Sequence, residues 1–286
     1  MDEFSIRAYA KINLGLDVIG RLPNGYHQVK MIMQSIDLWD ELTFRRIRKG
    51  ISVTSDSSEL PLDENNLIYK AAALLLKECN ISSGVGIHLK KNIPIAAGMA
   101  GGSTDAAAAL KGVCRLFDLN LPQKRLMEYG VSIGADVPYC LMGGTALAEG
   151  IGEKLTALPP LPDCHILTVT PKISVSTKFV YQSLDAQELT GHPDIDGIVG
   201  ALSAKDLAGV LVRMDNVLET VTVPAHPVIR TIKDRMRSLG AAGSLMSGSG
   251  PTVFGIFPQG QEASAKAALD SLRQEGLEQA FLVRPI

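Results

Sequence analysis

PIAAGMAGGSTDAAAAL, residues 94–110, is the stretch on which the reading of this chain turns. It starts at a proline, passes through Gly98, Gly101 and Gly102, and runs at Ser103 into an alanine-rich segment of strong helix propensity. Ser103 is the expected N-cap, because a serine hydroxyl accepts from the first amides of a helix. Those amides and the helix dipole make a helix N-terminus an anion site, and glycine lets the backbone approach phosphate oxygens with no Cβ in the way. The spacing fits neither G-x-x-x-x-G-K-[ST] nor G-x-G-x-x-G, so a P-loop and a dinucleotide fingerprint are both excluded. On the residues alone two readings stay open, a phosphate loop and a plain strand-to-helix turn. Asp105 in the first turn suits the dipole but would repel a phosphate, so it is expected to point away or to help hold a metal.

Working outward, VGIHLKKNIP (85–94) reads as a strand stopped by Pro94. Before it, Asp63 is the expected N-cap of a helix over 64–78 with Leu67, Ala71, Leu74 and Leu75 as its apolar stripe. At the start of the chain, 6–20 alternates with Ile12, Leu14, Leu16 and Val18 on one face, Pro23-Asn24-Gly25 is a turn, and 35–47 is a second extended run. After the glycine loop come a helix from Pro122, a short loop at 134–139, and a turn plus strand over 143–155. LPPLPD (158–163) is the best boundary, dividing the chain into 1–157 and 158–286. The second part shows a strand at 164–171, weak helical stretches, a loop at 191–197, a helix over 226–239, a turn flanked by apolar runs at 244–257, and a last helix and strand. Strands and helices mix without regular βαβ alternation, which favours an α+β fold in two lobes.

Composition narrows the function. The chain has 286 residues, 46% of them hydrophobic and 20% charged, which fits a globular protein with a real core. The net charge of −2 argues against a basic nucleic-acid scaffold but leaves nucleotides open. No run reaches the ~18 apolar residues of a membrane helix, and MDEFSIRAYAKINLG lacks the basic start and apolar core of a signal peptide, so a cytoplasmic protein is expected. Cys79, Cys114, Cys140 and Cys164 have neither zinc nor thioredoxin spacing and read as small buried hydrophobes.

Three segments in order then carry a resemblance. AYAKINLGLDV (8–18), PIAAGMAGGST (94–104) and SLMSGSGPTVFGIF (244–257) resemble the three motifs of the GHMP kinases, the superfamily of galactokinase, homoserine kinase, mevalonate kinase and phosphomevalonate kinase. The strings 10–42, with N-G-Y-H, and 134–155, with G-A-D-V-P, resemble more narrowly the branch that phosphorylates the 2-hydroxyl of a cytidine-diphosphate sugar alcohol, with ATP and magnesium, in the non-mevalonate route to isoprenoids. The likeness runs nearly end to end and is weakest from 185 to 225. It implies a two-lobed GHMP kinase fold with the active site in the cleft between lobes, and one family domain in each part of the chain.

The resemblance also implies roles. Lys11 and Asp136 match the family's catalytic pair. Asp136 would accept the proton of the attacking hydroxyl, and Lys11 would orient the pair and offset developing charge. Asn13, two residues on and so on the same strand face as Lys11, would bond the sugar alcohol. Tyr26 would stack on cytosine, His27 would bond its edge, and Tyr181 would form the opposite half of the sandwich. Pro94, Ile95, Ala96, Ala97, Gly98, Met99, Ala100, Gly101, Gly102, Ser103 and Thr104 would cradle the ATP phosphates, with Ser103 and Thr104 adding hydroxyl contacts or a magnesium ligand. Asn66 and Lys90 would touch adenine or ribose, and Gly248, Ser249 and Gly250 would either shape the site or form a plain turn. The metal ligands are not legible.

The rivals are a kinase of mevalonate or homoserine, which has no reason to keep a cytosine platform, and a non-catalytic nucleotide-binding regulator, which has no need of Lys11 and Asp136 together. Arg45, Arg46, Arg48 and Lys49 read as a solvated strand end. Asp194 and Asp196 read as loop acids without partner spacing, and the histidines do not cluster as metal ligands.

Overall fold

The alternating run that begins the chain forms β1 (Glu3–Arg21), and the next extended run forms β2 (His27–Ile47). The structure is a computed structural model that describes residues 3–23, 25–184, 189 and 191–286. Asn24 of the expected turn, and 185–188 and 190 of the weakly patterned stretch, lie outside the described residues. Ile12, Leu14, Leu16 and Val18 are all buried as the alternation requires, but Lys11, Asn13 and Asp17 on the opposite face are buried too.

The elements that follow are β3 (Ile51–Ser55), α1 (Leu67–Glu78), β4 (Gly84–Lys90), α2 (Gly101–Phe117), α3 (Gln123–Ile133), α4 (Val137–Met142), β5 (Thr145–Gly150) and β6 (Lys154–Ala157). They continue with β7 (Cys164–Val169), α5 (Thr177–Leu184), α6 (Ile195–Ser203), α7 (Leu207–Leu211), α8 (Glu219–Ala225), α9 (Val228–Ser238), β8 (Gly243–Met246), β9 (Val253–Pro258), α10 (Glu262–Gln274) and β10 (Ala280–Val283). One sheet has the order β3-β4-β2-β5-β6 with β1 also paired to β2, and the other has the order β10-β7-β9-β8. The β3–β4 pair is parallel and the β2–β4, β2–β5 and β5–β6 pairs are antiparallel. Helices and two sheets mixed in this way form an α+β fold.

By contacts the chain divides into two compact units that interleave along the sequence. The first comprises 1–10, 38–95 and 100–142, and the second comprises 11–37, 96–99 and 143–286. A cut between 157 and 158 divides the linear chain, whereas these units share β1 and β2, which are long enough to give one end to each.

In the first unit the core joins Phe44, Leu75, Leu89, Ala106, Ala109 and Val113. The alanines of α2 contribute little area each, but they let the helix lie close to its neighbours. Gly112 carries that closeness furthest, since a Cβ there would stand 2.2 Å from the Phe44 ring. A rigid ring cannot swing aside as a flexible side chain can. Gly112→Ala is therefore expected to cost about 1–3 kcal/mol or more by overpacking. A melting curve would show it as a Tm lower by several degrees, and an unchanged Tm would refute the packing account. In the second unit, β7 and β9 (Ile166, Leu167, Phe254, Ile256) pack with Ile232 and Met236 of α9 and Leu272 of α10, all buried.

Several local expectations change. Asn66, not Asp63, caps α1, its Oδ1 accepting from Ile68 N–H at 2.8 Å, while Asp63 closes a turn on Asn65. The segment expected as a loop at 134–139 contributes to α4, where Pro138 sits in the first turn, a position that tolerates proline. Asp194 is the N-cap of α6, bonding Gly197 N–H at 2.9 Å and pairing with Arg213, and Asp196 pairs with Lys30 at 2.7 Å. Arg46 is not simply solvated, because it donates to the Leu116 carbonyl at 2.7 Å, satisfying a helix C-terminus. Burial raises the thiol of Cys164 to about 12 and that of Cys114 to about 11, consistent with inert packing groups.

Candidate active site

In the first unit, α2 begins at Gly101, three residues earlier than the cap reading required. Ala100 is the N-cap in a left-handed conformation (φ 58°), and no side chain caps the helix. Ser103 is thus inside the first turn rather than at its cap. The first helical bond runs from Thr104 N–H to the Ala100 carbonyl at 2.9 Å, so the amides of Gly101, Gly102 and Ser103 lie ahead of the ladder and lack helical acceptors. Gly102 is exposed and Ser103 half-buried, whereas Thr104 is buried. Of the two hydroxyls, only that of Ser103 retains substantial access.

Asp136 also belongs to this unit. It is half-buried and directly precedes α4, its carbonyl accepting from Cys140 N–H at 3.0 Å. A Cβ on Gly134, two residues before it, would stand 3.7 Å from Ser103 Oγ. The G-A-D-V-P string and the first turn of α2, distant in sequence, are therefore adjacent.

The second unit holds the middle of the glycine loop, 96–99, together with Lys11. Lys11 is 5% exposed. Its Nζ donates to Asn13 Oδ1 at 2.7 Å and to the Gly98 carbonyl at 3.1 Å, and its backbone N–H bonds the Met99 carbonyl at 3.2 Å. The Asn13 amide nitrogen contacts Met31 Sδ at 3.3 Å, a weak acceptor. Ser247 Oγ donates to the same Gly98 carbonyl at 2.9 Å. Gly98 has φ +73°, and a Cβ there would stand 2.2 Å from the Ser247 carbonyl oxygen, so only glycine fits against the 247–250 turn. Asn216 braces that turn by donating to the carbonyls of Met246 and Gly248 at 2.9 and 2.8 Å.

The same unit brings together His27 and Tyr181, whose ring centroids are 5.0 Å apart with planes tilted by 41°. Tyr26 stands beside them in sequence and is 60% exposed, its carbonyl accepting from Leu22 N–H at 2.7 Å. Thr177 at the start of α5 bonds Ser249 at 2.8 Å, tying the helix of Tyr181 to the 247–250 turn.

Asn66, Lys90 and Asp105 also belong to the first unit. Asn66 is buried and its side chain is engaged in capping α1 and in bonding the Pro61 carbonyl at 2.7 Å. Lys90 is exposed on β4 opposite Glu41, while its neighbour Lys91 is the buried lysine. Asp105 points into the first unit toward Lys91 and away from solvent. Among the described residues no group of three or more His, Cys, Asp or Glu is placed to hold a metal ion, and no helix is long and apolar enough to cross a membrane. Sequence reasoning missed Ser247, Asn216, Asp40 and Lys91. For Ser247 the S-G-S-G string was a usable signal, but the other three have none outside the fold.

Comparison with known proteins shows the family. Residues 66–144 match the GHMP kinases N terminal domain and 193–276 match the GHMP kinases C terminal model. The chain is 56% identical over 277 residues to 4-diphosphocytidyl-2-C-methyl-D-erythritol kinase of Lachnospira eligens, covering 96% of each. It is 51% identical over 285 residues to the enzyme of that name from Lachnoclostridium phytofermentans, covering 99% of this chain and 98% of the other. A crystal structure of 4-(cytidine 5'-diphospho)-2C-methyl-D-erythritol kinase superposes with a TM-score of 0.84 at 32% identity, covering 99% of both chains. A homoserine kinase from Cytophaga hutchinsonii, 21% identical with a TM-score of 0.81 over 100% of this chain and 95% of that one, shares the fold. With both family models matched and relatives this similar along nearly its whole length, the chain belongs to the GHMP kinases, small-molecule kinases that use ATP, in the branch of the 4-diphosphocytidyl-2-C-methyl-D-erythritol kinases.

Proposed function

We propose that this protein transfers the γ-phosphoryl group of ATP to the 2-hydroxyl of 4-diphosphocytidyl-2-C-methyl-D-erythritol, giving the 2-phosphate and ADP, in the non-mevalonate route to isoprenoid precursors. The observation that carries it is the joint presence, in one compact unit, of the buried Lys11–Asn13–Gly98 contacts and the His27–Tyr181 ring pair. The first suits phosphoryl transfer, and the second suits recognition of a pyrimidine.

The amides of Gly101, Gly102 and Ser103, with the rest of the 94–104 loop, bind the ATP phosphates. Asp136 accepts the proton of the attacking hydroxyl. A carboxylate is too weak a base to ionise an alcohol outright, but phosphoryl transfer has a loose transition state in which the proton can leave late. Alignment of the hydroxyl then supplies most of the rate. Lys11 offsets charge as it develops, held in place by Asn13 Oδ1 and the Gly98 carbonyl. Asn13 keeps its amide nitrogen for the sugar alcohol, exchanging a thioether for a better acceptor. The accessible Ser103 hydroxyl would help to hold a magnesium ion that enters with the ATP phosphates. When bound, it neutralises phosphate charge. Asn66 and Lys90 remain proposals for adenine and ribose. The chain acts in the cytoplasm, with 1–157 and 158–286 as its two family domains.

Incubating the protein with Mg-ATP and the cytidylylated methylerythritol is expected to yield ADP and the 2-phosphate in equal amounts by phosphorus NMR. No turnover by folded protein would refute the reading. For recognition, Tyr181→Ala and Tyr26→Ala are each expected to raise KM for the cytidyl substrate by about tenfold, the worth of one base–aromatic stack, with KM for ATP little changed. Equal effects on both substrates would argue against stacking.

A further inference from the structure

An ionic cluster that none of these roles uses lies beneath the start of α2. Asp40 on β2, Lys91 just after β4 and Asp105 on α2 all belong to the first unit, and their side chains are 0%, 6% and 4% exposed. Lys91 Nζ donates to Asp40 Oδ2 and lies 3.4 Å from Asp105 Oδ2. Asp40 Oδ1 also accepts from the backbone N–H groups of Asn92 and Ile93 at 2.6 and 2.8 Å, the two residues leading into Pro94. A Cβ on Gly101 would stand 2.9 Å from Lys91 Nζ, so the ammonium lies under the first residue of the helix. Asp105 Oδ1 is buried with no hydrogen-bond partner among the described residues.

Two carboxylates and one ammonium leave one uncompensated negative charge, which is costly when buried. Asp105 is the carboxylate that has an oxygen without a hydrogen bond among the described residues. Burial pushes this carboxyl well above the ordinary range, with Lys91 opposing and Asp40 reinforcing the rise. Among the described residues those two are the charged groups that face it.

We propose that Asp40, Lys91 and Asp105 form a positioning cluster for the nucleotide site, fixing the strand exit at 91–93 and the first turn of α2 so that the amides of Gly101, Gly102 and Ser103 are held ready for phosphate. The proposal rests on the reading of the loop as the ATP site. It is separate from the choice of alcohol substrate.

Asp105→Ala leaves the Asp40–Lys91 pair matched, so the fold is retained, but it unties the helix from the lysine. The dissociation constant for Mg–AMPPNP, measured by calorimetry, is expected to rise about tenfold, within the range for a modest displacement of positioning groups. Asp105→Asn, which keeps the shape of the side chain and an oxygen that can accept from Lys91, is expected to bring it back to within about twofold of the unmodified protein. KM for the alcohol substrate is expected to move in neither. A merely structural role would lower Tm in both variants without separating their nucleotide affinities. Unchanged affinity in Asp105→Ala, or equally weak binding in Asp105→Asn, would overturn the proposal. If the unmodified protein bound no Mg–AMPPNP, the reading of the loop would fall with it. Because binding is measured without the alcohol, failure of the substrate assignment leaves this test standing.

Discussion

Asp136→Ala is expected to lower kcat by about 10²-fold or more, the usual contribution of a positioned general base, while Mg–AMPPNP still binds. The expectation follows from where the residue stands. Asp136 precedes α4 and is only half-buried, so its side chain is not a core element whose loss would unfold the unit. Gly134 lies against Ser103, which brings the G-A-D string to the end of α2 whose amides are proposed to bind the phosphates. A group there can meet a hydroxyl approaching the γ-phosphoryl without contributing to nucleotide affinity. Steady-state kinetics and calorimetry on the one variant separate the two effects. An unchanged kcat would remove Asp136 from the chemistry, and a matching loss of nucleotide affinity would make it a binding residue.

Lys11→Met should also lower kcat, by about 10²–10³-fold, the cost of removing one preorganised donor aimed at developing charge. Lys11 is buried, and its ammonium donates to Asn13 Oδ1 and to the Gly98 carbonyl. The Gly98 carbonyl keeps a donor in Ser247 when the lysine is lost, so the loop keeps one of its ties. KM for ATP should therefore change less than kcat. A variant whose KM for ATP rises while kcat holds would show that Lys11 serves ground-state binding alone. Arginine is a poor replacement, because its wide planar fork does not fit a slot shaped for a compact ammonium.

Periodicity and punctuation made the strands and most helices legible. The alternation at Ile12, Leu14, Leu16 and Val18 gives β1 directly. The start at Pro122 marks a real end, whereas β4 stops at Lys90, before it reaches Pro94. The failures share a physical cause, which is that local signals competed and tertiary contacts chose between them. Ser103 is a good cap by chemistry, but two glycines before it let the helix begin earlier. Asp63 and Asn66 are both capable caps, and Asn66 won because its amide also reaches the Pro61 carbonyl. Lys90 and Lys91 are equivalent in sequence, and only the end of β4 after Lys90 decides which of them turns inward. The site divides in the same way. The glycine loop, Lys11 and the Tyr-His string stand out as motifs, whereas Ser247 on Gly98, Gly134 beside Ser103 and the Asp40–Lys91–Asp105 cluster join residues tens of positions or more apart. Spacing carries no trace of such contacts.

This chain is expected to phosphorylate a cytidyl substrate rather than a smaller alcohol acted on by other members of its family. The most direct measurement is kcat/KM for 4-diphosphocytidyl-2-C-methyl-D-erythritol, mevalonate and homoserine under one Mg-ATP concentration. The cytidyl substrate is expected to lead the other two by at least about a thousandfold, since a site built to bond and stack a base strongly disfavours alcohols that lack one. Comparable values for all three, or a preference for mevalonate or homoserine, would contradict it.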